Sequence, residues 1–397
     1  MRDIIPPNKN RPTESSEDLA PEEIERQLDD MVEKAVPVPE NDGLRARWKS
    51  LSRNQRFGLI SLALLIFAAA VIGVFNWTRP ASQGSIAINK NAKKAVAPAT
   101  VASPLSGLPV APDLVKRPVT GILIENSQDA RPQSGLQDAG VIFEAIAEGG
   151  ITRFLTLYQD TQPQYIGPVR SLRPYYIDWA AGFDASIAHV GGSPDALAQI
   201  RNGGKDLDQF FNADSYWRQP TRIAPHNVYT SFEKMDALNK SKGYTSSKFD
   251  SWTRKTDQKA ATPTVKTIDL AISSSAFNVH YDYDPATNGY LRSEGGQPQL
   301  ATVSADNNAS TQLHPKVVIA MVMSYGIDSD GQHSIYSTIS NGTMYVFQDG
   351  GITQGTWNKP SRNAQFVFTD GNGQALKLNA GQTWISAIQA GELNYSP

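Results

Sequence analysis

Eighteen consecutive uncharged residues, from Gly58 to Phe75 (GLISLALLIFAAAVIGVF), constrain this 397-residue chain more than any other stretch. At about 1.5 Å per residue the run extends about 27 Å, close to the thickness of a bilayer core. A soluble helix would need a polar face, and Ser61 alone cannot supply one. Phe57 and Trp77 flank the run where aromatic rings favour the membrane–water boundary. The run therefore predicts a transmembrane helix over residues 57–77, with the lipid bilayer as its partner. Arg45, Arg47, Lys49, Arg53 and Arg56 crowd its N-terminal side, against Arg79 close on the other. Positive charge stays inside, so a single-pass protein is expected, with a cytoplasmic N-terminus and extracellular C-terminal domains at the cell membrane. The long polar stretch before the run points to an uncleaved signal anchor rather than a cleaved signal peptide.

The chain has no cysteine, which excludes disulfides, thiolate metal sites and cysteine nucleophiles. A formal charge of −2 with 19% charged residues offers no basic face for nucleic acid. The five histidines, at 189, 226, 280, 314 and 333, lack ligand spacing, so neither a metal site nor a cofactor is expected. There is no Gly-x-Ser-x-Gly elbow, His-Glu-x-x-His, Walker loop or acidic calcium loop.

Residues 1–56 read as a largely disordered cytoplasmic tail. Within it PEEIERQLDDMVEKA (21–35) spaces Ile24, Leu28, Met31, Val32 and Ala35 as one helical face, which either docks a partner or stays marginal. Residues 78–106, rich in Ala, Ser, Lys, Asn and Pro, read as a flexible linker. From 107 to 255, strand-like runs such as TGILIEN, GVIFEAI and ITRFLTLYQD alternate with helices near Pro174 and Pro194, an α/β extracytoplasmic domain. From 265 to 397, short β-rich runs between Gly, Asn and Asp predict a mostly antiparallel β domain, giving an α+β fold class overall.

The densest polar stretch runs from Asn126 to Arg173. It contains Arg131, Gln133, Glu144, Glu148, Arg153, Arg170 and Ser171 beside Gly149-Gly150 and Gly167-Pro168. Arginine forks suit carboxylate and phosphate oxygens, so Asn126, Arg131, Arg153, Arg170 and Arg173 would line an anionic cleft, with Glu144, Glu148 or His189 moving protons. Alternatively, the same Arg–Glu pairs bridge loops to a sheet. In His189-Val-Gly-Gly-Ser-Pro194 a strand ends at two glycines and a helix starts with Ser193 as cap. Such a helix N-terminus either binds an anion or is an ordinary strand–helix turn. Trp217-Arg218, Arg222 and Pro225-His226-Asn227 suit a polar-ligand lining, or loop packing.

Several long phrases carry a family resemblance. They are RPVTGILIENSQDARPQSGLQDAGVIFEAIAEGGITRF (117–154), IGPVRSLRPYYIDWA (166–180), HVGGS (189–193), PHNVY (225–229), NGYLR (288–292), DGGITQGTWNKPS and LNAGQTWISAI. In these phrases the chain resembles the YerB-like family, bacterial envelope lipoproteins built on a domain of unknown function. The resemblance implies an extracytoplasmic two-domain protein of the bacterial cell envelope and brings no catalytic assignment. Lacking cysteine, the chain departs from the lipoprotein pattern, and the transmembrane helix is expected to replace the lipid anchor.

The expected function is a membrane-tethered module that binds an anionic cell-wall glycan or an envelope protein. The alternative is an envelope hydrolase or transferase acting on a phosphorylated or acidic glycan. A sensor signalling through the anchor to the 21–35 helix is a third reading.

Overall fold

The computed structural model describes Ser52 and residues 99–304 and 309–397. Residues 99–304 and 309–397 belong to one compact unit. Its N-terminal half contributes β1 (Thr120–Glu125), β2 (Val141–Glu148), β3 (Ile151–Tyr158), α1 (Pro174–Ala181), β4 (Ser186–His189), α2 (Pro194–Arg201), β5 (Asp206–Asp208) and α3 (Phe232–Ser241). The C-terminal half contributes β6 (Thr267–Leu270), β7 (Val279–Asp284), β8 (Gly289–Glu294), β9 (Gln297–Pro298), β10 (Val317–Val322), β11 (Asn341–Gln348), β12 (Gly351–Asn358), β13 (Val367–Asp370), β14 (Thr383–Ile388) and β15 (Leu393–Ser396). The α/β pattern followed by mostly antiparallel strands is the architecture observed.

One mixed sheet of ten strands runs β13-β12-β11-β10-β14-β2-β3-β1-β4-β5 and draws on both halves. The join is β14 alongside β2 in parallel, with Trp384 opposite Ile142 and Ser386 opposite Glu144. A second antiparallel sheet runs β9-β8-β7-β6-β15. Side chains alternate along β2, so Val141, Phe143 and Ala145 enter the core shared with α1 and α2, while Ile142, Glu144 and Ile146 face the opposite way. On that opposite side, α3 packs through Phe232, Met235 and Leu238, and the five-stranded sheet covers the rest through Ile268, Val279, Tyr281 and Tyr290.

The helices form for local reasons. Proline opens α1 and α2, where its missing N–H costs no hydrogen bond. Ser193 caps α2 by accepting the Ala196 N–H, and Ser231 caps α3 by accepting the Lys234 N–H. The folded body also begins before residue 107. Val101–Ala102 pairs with Pro109–Val110, and Leu105 is buried in the core.

The expectation of a membrane anchor requires correction. Residues 58–75 and the tail helix at 21–35 lie outside the described residues. Among the described residues no helix is long and apolar enough to cross a membrane. The three described α-helices have 8, 8 and 10 residues. They are therefore at most about 15 Å long, half the roughly 30 Å of a bilayer core. The reading of the chain as a single-pass, signal-anchored membrane protein, tethered to the lipid bilayer through a spanning helix with a cytoplasmic N-terminus and extracellular domains, is therefore withdrawn. What stands is an α/β and antiparallel-β body without a membrane anchor among its described residues.

Candidate functional site

β1, β2 and β4 run parallel, so their carboxyl ends lie at one edge of the large sheet. The backbone pairing of β1 with β4 ends at Ile122 opposite Ala188. Beyond that point residues 166–173 run between the two strands as a strap. Arg170 N–H donates to the Leu123 carbonyl (2.8 Å), and Val190 N–H donates to the Arg170 carbonyl (3.1 Å). On either side, Glu125 N–H donates to Pro168, Val169 N–H to Val228, and Leu172 N–H to Gly191. A crevice where parallel strands separate is where open α/β sheets usually take ligands. Here the chain fills it: Ile166, Val169, Leu172 and Arg173 of the strap are buried, and Arg170 and Ser171 are its partly exposed side chains.

Arg170 and His226 meet at Glu125. Arg170 Nε lies 3.1 Å from one carboxylate oxygen of Glu125, and His226 Nδ1 lies 2.9 Å from the other, which also accepts from Ser127 Oγ at 2.8 Å. Because Ser127 and Glu125 share the same ring nitrogen of His226, this is not the relay of a nucleophilic serine, which needs opposite nitrogens. The other nitrogen, Nε2, lies 4.0 Å from the exposed Asp129.

Arg153 and Arg173 converge on Glu148 instead. Arg173 Nε donates to one oxygen and Arg153 to the other at 3.3 Å, while Arg153 also donates to the Ser171 carbonyl at 2.8 Å. The two guanidinium groups hold the Glu148 carboxyl below its usual range against the opposing effect of burial.

Asn126 and Arg131 lie with Glu294. Asn126 Nδ2 donates to Glu294 (2.6 Å) and Thr152 (2.6 Å), and its carbonyl oxygen accepts from Gln133 at 2.7 Å. Arg131 lies 3.2 Å from Glu294, donates to the Ala276 carbonyl and covers the Phe277 ring. Glu144 is fully buried, receiving Arg292 on both oxygens at 2.8 Å, Trp384 Nε1 at 2.9 Å and Ser386 Oγ at 3.0 Å.

His189 is also fully buried, with Nδ1 on the Gly191 carbonyl and Nε2 on Asp206 at 3.0 Å. In the turn before α2, Gly191 N–H donates to Asp208, which also pairs with Arg201 in the last turn of that helix. Ser193 serves as the helix cap. Arg218 donates to Asn227, and Arg222 donates to the carbonyls of Ala130 and Pro132, tying the 218–227 loop to the segment after β1. Trp217 stacks in a row with Tyr165 and Tyr229.

Comparison with known proteins follows this geometry. The model described as "Protein of unknown function (DUF3048) N-terminal domain" matches residues 105–245, and its C-terminal counterpart matches 268–385. A Bacillus subtilis (strain 168) protein titled "Putative lipoprotein YerB" is 31% identical over 296 residues, covering 72% of this chain and 86% of that one. The chain belongs to the DUF3048 family. The crystal structure of YerB protein from Bacillus subtilis is similar at a TM-score of 0.66 and 27% identity, over 75% of this chain and 100% of that one. The relative's title names a lipoprotein, a form of attachment different from a spanning helix.

In this DUF3048 protein, sequence reasoning passed over Glu125, Arg292, Glu294 and Gln299. One signal was available for two of them. Strand alternation puts Tyr290, Arg292 and Glu294 on one face, and a strand that turns an arginine and a glutamate toward a tyrosine-lined side contains a buried ion pair.

Proposed function

We propose that this chain is an extracytoplasmic module of the bacterial cell envelope that binds an acidic wall glycan at the carboxyl edge of its large sheet. Kinship to a protein titled as a lipoprotein supports the envelope location. The observation that carries the binding site is the state of Arg170. Its Nε lies 3.1 Å from Glu125 as an ion pair without hydrogen-bond alignment, its two terminal nitrogens have no hydrogen-bond partner among the described residues, and the side chain is 28% exposed. The other arginines of the set donate through their terminal nitrogens to carbonyls of the chain itself. Arg170 is thus a partly exposed fork paired in charge with Glu125, a group that receives carboxylate or phosphate oxygens in two-point contact. His226, 20% exposed, adds a ring nitrogen beside it.

The hydrolase or transferase alternative has less support. Glu144 and His189 are fully buried with their polar atoms bonded, and Glu148 has each oxygen on an arginine. A general acid or base must reach the proton it transfers. Calorimetric titration of the full-length chain with solubilised wall glycan tests the proposal. Acidic glycan binds and its neutralised form does not; equal heats from the two forms overturn it.

A further inference from the structure

A separate cavity of about 360 Å³ opens where the N-terminal half meets the C-terminal half, lined by Arg131, Pro132, Glu294, Pro298, Gln299 and Leu300, among others. Its volume lies within the range of about 300–1,000 Å³ typical of small-molecule sites. The turn that shapes it is Glu294-Gly-Gly-Gln297. Gly295 and Gly296 both take positive φ (59° and 76°), which makes a two-residue hairpin and sets Glu294 opposite Gln297.

Two buried side chains in the lining have unused hydrogen-bonding capacity. Gln299 is 4% exposed, and neither its amide nitrogen nor its carbonyl oxygen has a partner among the described residues. Glu294 is 3% exposed, and its Oε2 has no hydrogen bond among the described residues, while Oε1 is held by Asn126. Buried polar groups left unpaired cost about 1–3 kcal/mol each, so a ligand that satisfies them is favoured. The free groups are an amide donor, an amide acceptor and one carboxyl oxygen, beside the apolar surfaces of two prolines and a leucine. The local charge is balanced, with Arg131 and Arg292 facing Glu144 and Glu294. That balance disfavours a charged ligand.

We infer that this cavity is a binding site for an acylamino group, –NH–CO–CH₃, whose C=O accepts from the Gln299 amide, whose oppositely directed N–H donates to the unpaired Glu294 oxygen and whose methyl packs against Pro132, Pro298 and Leu300. Burial raises the Glu294 carboxyl toward its protonated form, aided by Glu144, so it can donate as well as accept at this site. The inference does not rest on the carboxyl-edge site, because it uses neither Arg170 nor His226.

The experiment is a melting-temperature titration of the full-length chain with N-acetylglucosamine, glucose and N-acetylalanine amide. Expected is a rise that grows with concentration for the acetylated compounds and is absent for glucose. The sugar acting more strongly than the amino-acid amide identifies the source as a glycan, and the reverse order identifies a peptide; either supports the acylamino chemistry. Gln299→Leu keeps the volume, removes the amide donor and weakens the response several-fold, as expected for about one lost hydrogen bond. Leu300→Trp, at the exposed rim, fills the cavity and weakens it too, whereas Arg170→Lys leaves it unchanged. No response to either acetylated compound, or a response undiminished in both Gln299→Leu and Leu300→Trp, overturns the inference.

Discussion

Arg292 holds Glu144 through both carboxylate oxygens at 2.8 Å, with its guanidinium 4.2 Å above the ring of Trp384 and neither charged side chain exposed to solvent. The pair joins β8 of the smaller sheet to β2 of the larger one. Arg292→Met leaves two buried carboxyls, Glu144 and Glu294, without their shared cation. A loss of about 3–5 kcal/mol is expected, read as a lower midpoint with unchanged slope in urea unfolding. Adding Glu144→Gln removes one of the stranded charges, so the double variant is more stable than the sum of the single effects predicts.

A pH dependence follows from Glu294. Its carboxyl is pushed up from 4.5 to about 7, mainly by burial and further by Glu144, with Arg292 opposing. The native state therefore keeps a proton that the unfolded chain releases above about pH 4.5. Stability from this group is fully present below that value and is lost as pH rises toward 7. Glu294→Gln cannot lose the proton, so the stability difference between variant and parent shifts in the variant's favour across pH 5–8. Unfolding curves at stepped pH that run parallel for the two proteins contradict the assignment.

For the carboxyl-edge site, Arg170→Lys keeps a charge but loses the planar fork. Binding of acidic glycan falls several-fold with the melting temperature nearly unchanged. Arg170→Ala abolishes binding and costs only about 1 kcal/mol or less, because the ion pair with Glu125 is partly exposed and Glu125 retains Ser127 and His226. A large loss of stability with glycan binding intact would instead make Arg170 a structural residue.

The strap has a steric test. A Cβ on Gly167 would lie 2.8 Å from both the Tyr229 ring and the Val228 carbonyl. Gly167→Ala therefore displaces the strap or the 228–229 strand, at a cost of about 1–3 kcal/mol. Because Arg170 lies three residues along the same strap, glycan affinity falls with it, and the two losses are measured on one preparation by melting and titration.

Much of the local structure was legible in the sequence. First-turn prolines marked α1 and α2, with Ser193 as the cap of α2, and alternation marked the long strands, while α3 was not read from the sequence. The polar stretch from Asn126 to Arg173 was legible as a concentration of Arg and Glu. Their sorting was not legible. Arg131 pairs with Glu294 and Arg170 with Glu125, while Arg153 and Arg173 share Glu148. A carboxylate's partner is chosen by which backbone segments are brought within about 4 Å, and spacing along the chain carries no information on that.

The sequence by itself determined which residues form strands and helices, which faces are apolar, and that no cysteine chemistry operates, because each of these depends on residue type and local period. Tertiary structure alone decided that β14 inserts beside β2 to make one ten-stranded sheet, and that the strap fills the gap between β1 and β4. It also set Arg292 against Glu144, 148 positions away. An apolar face specifies that it must be covered but not by which distant strand, and that choice is settled by how the whole chain packs.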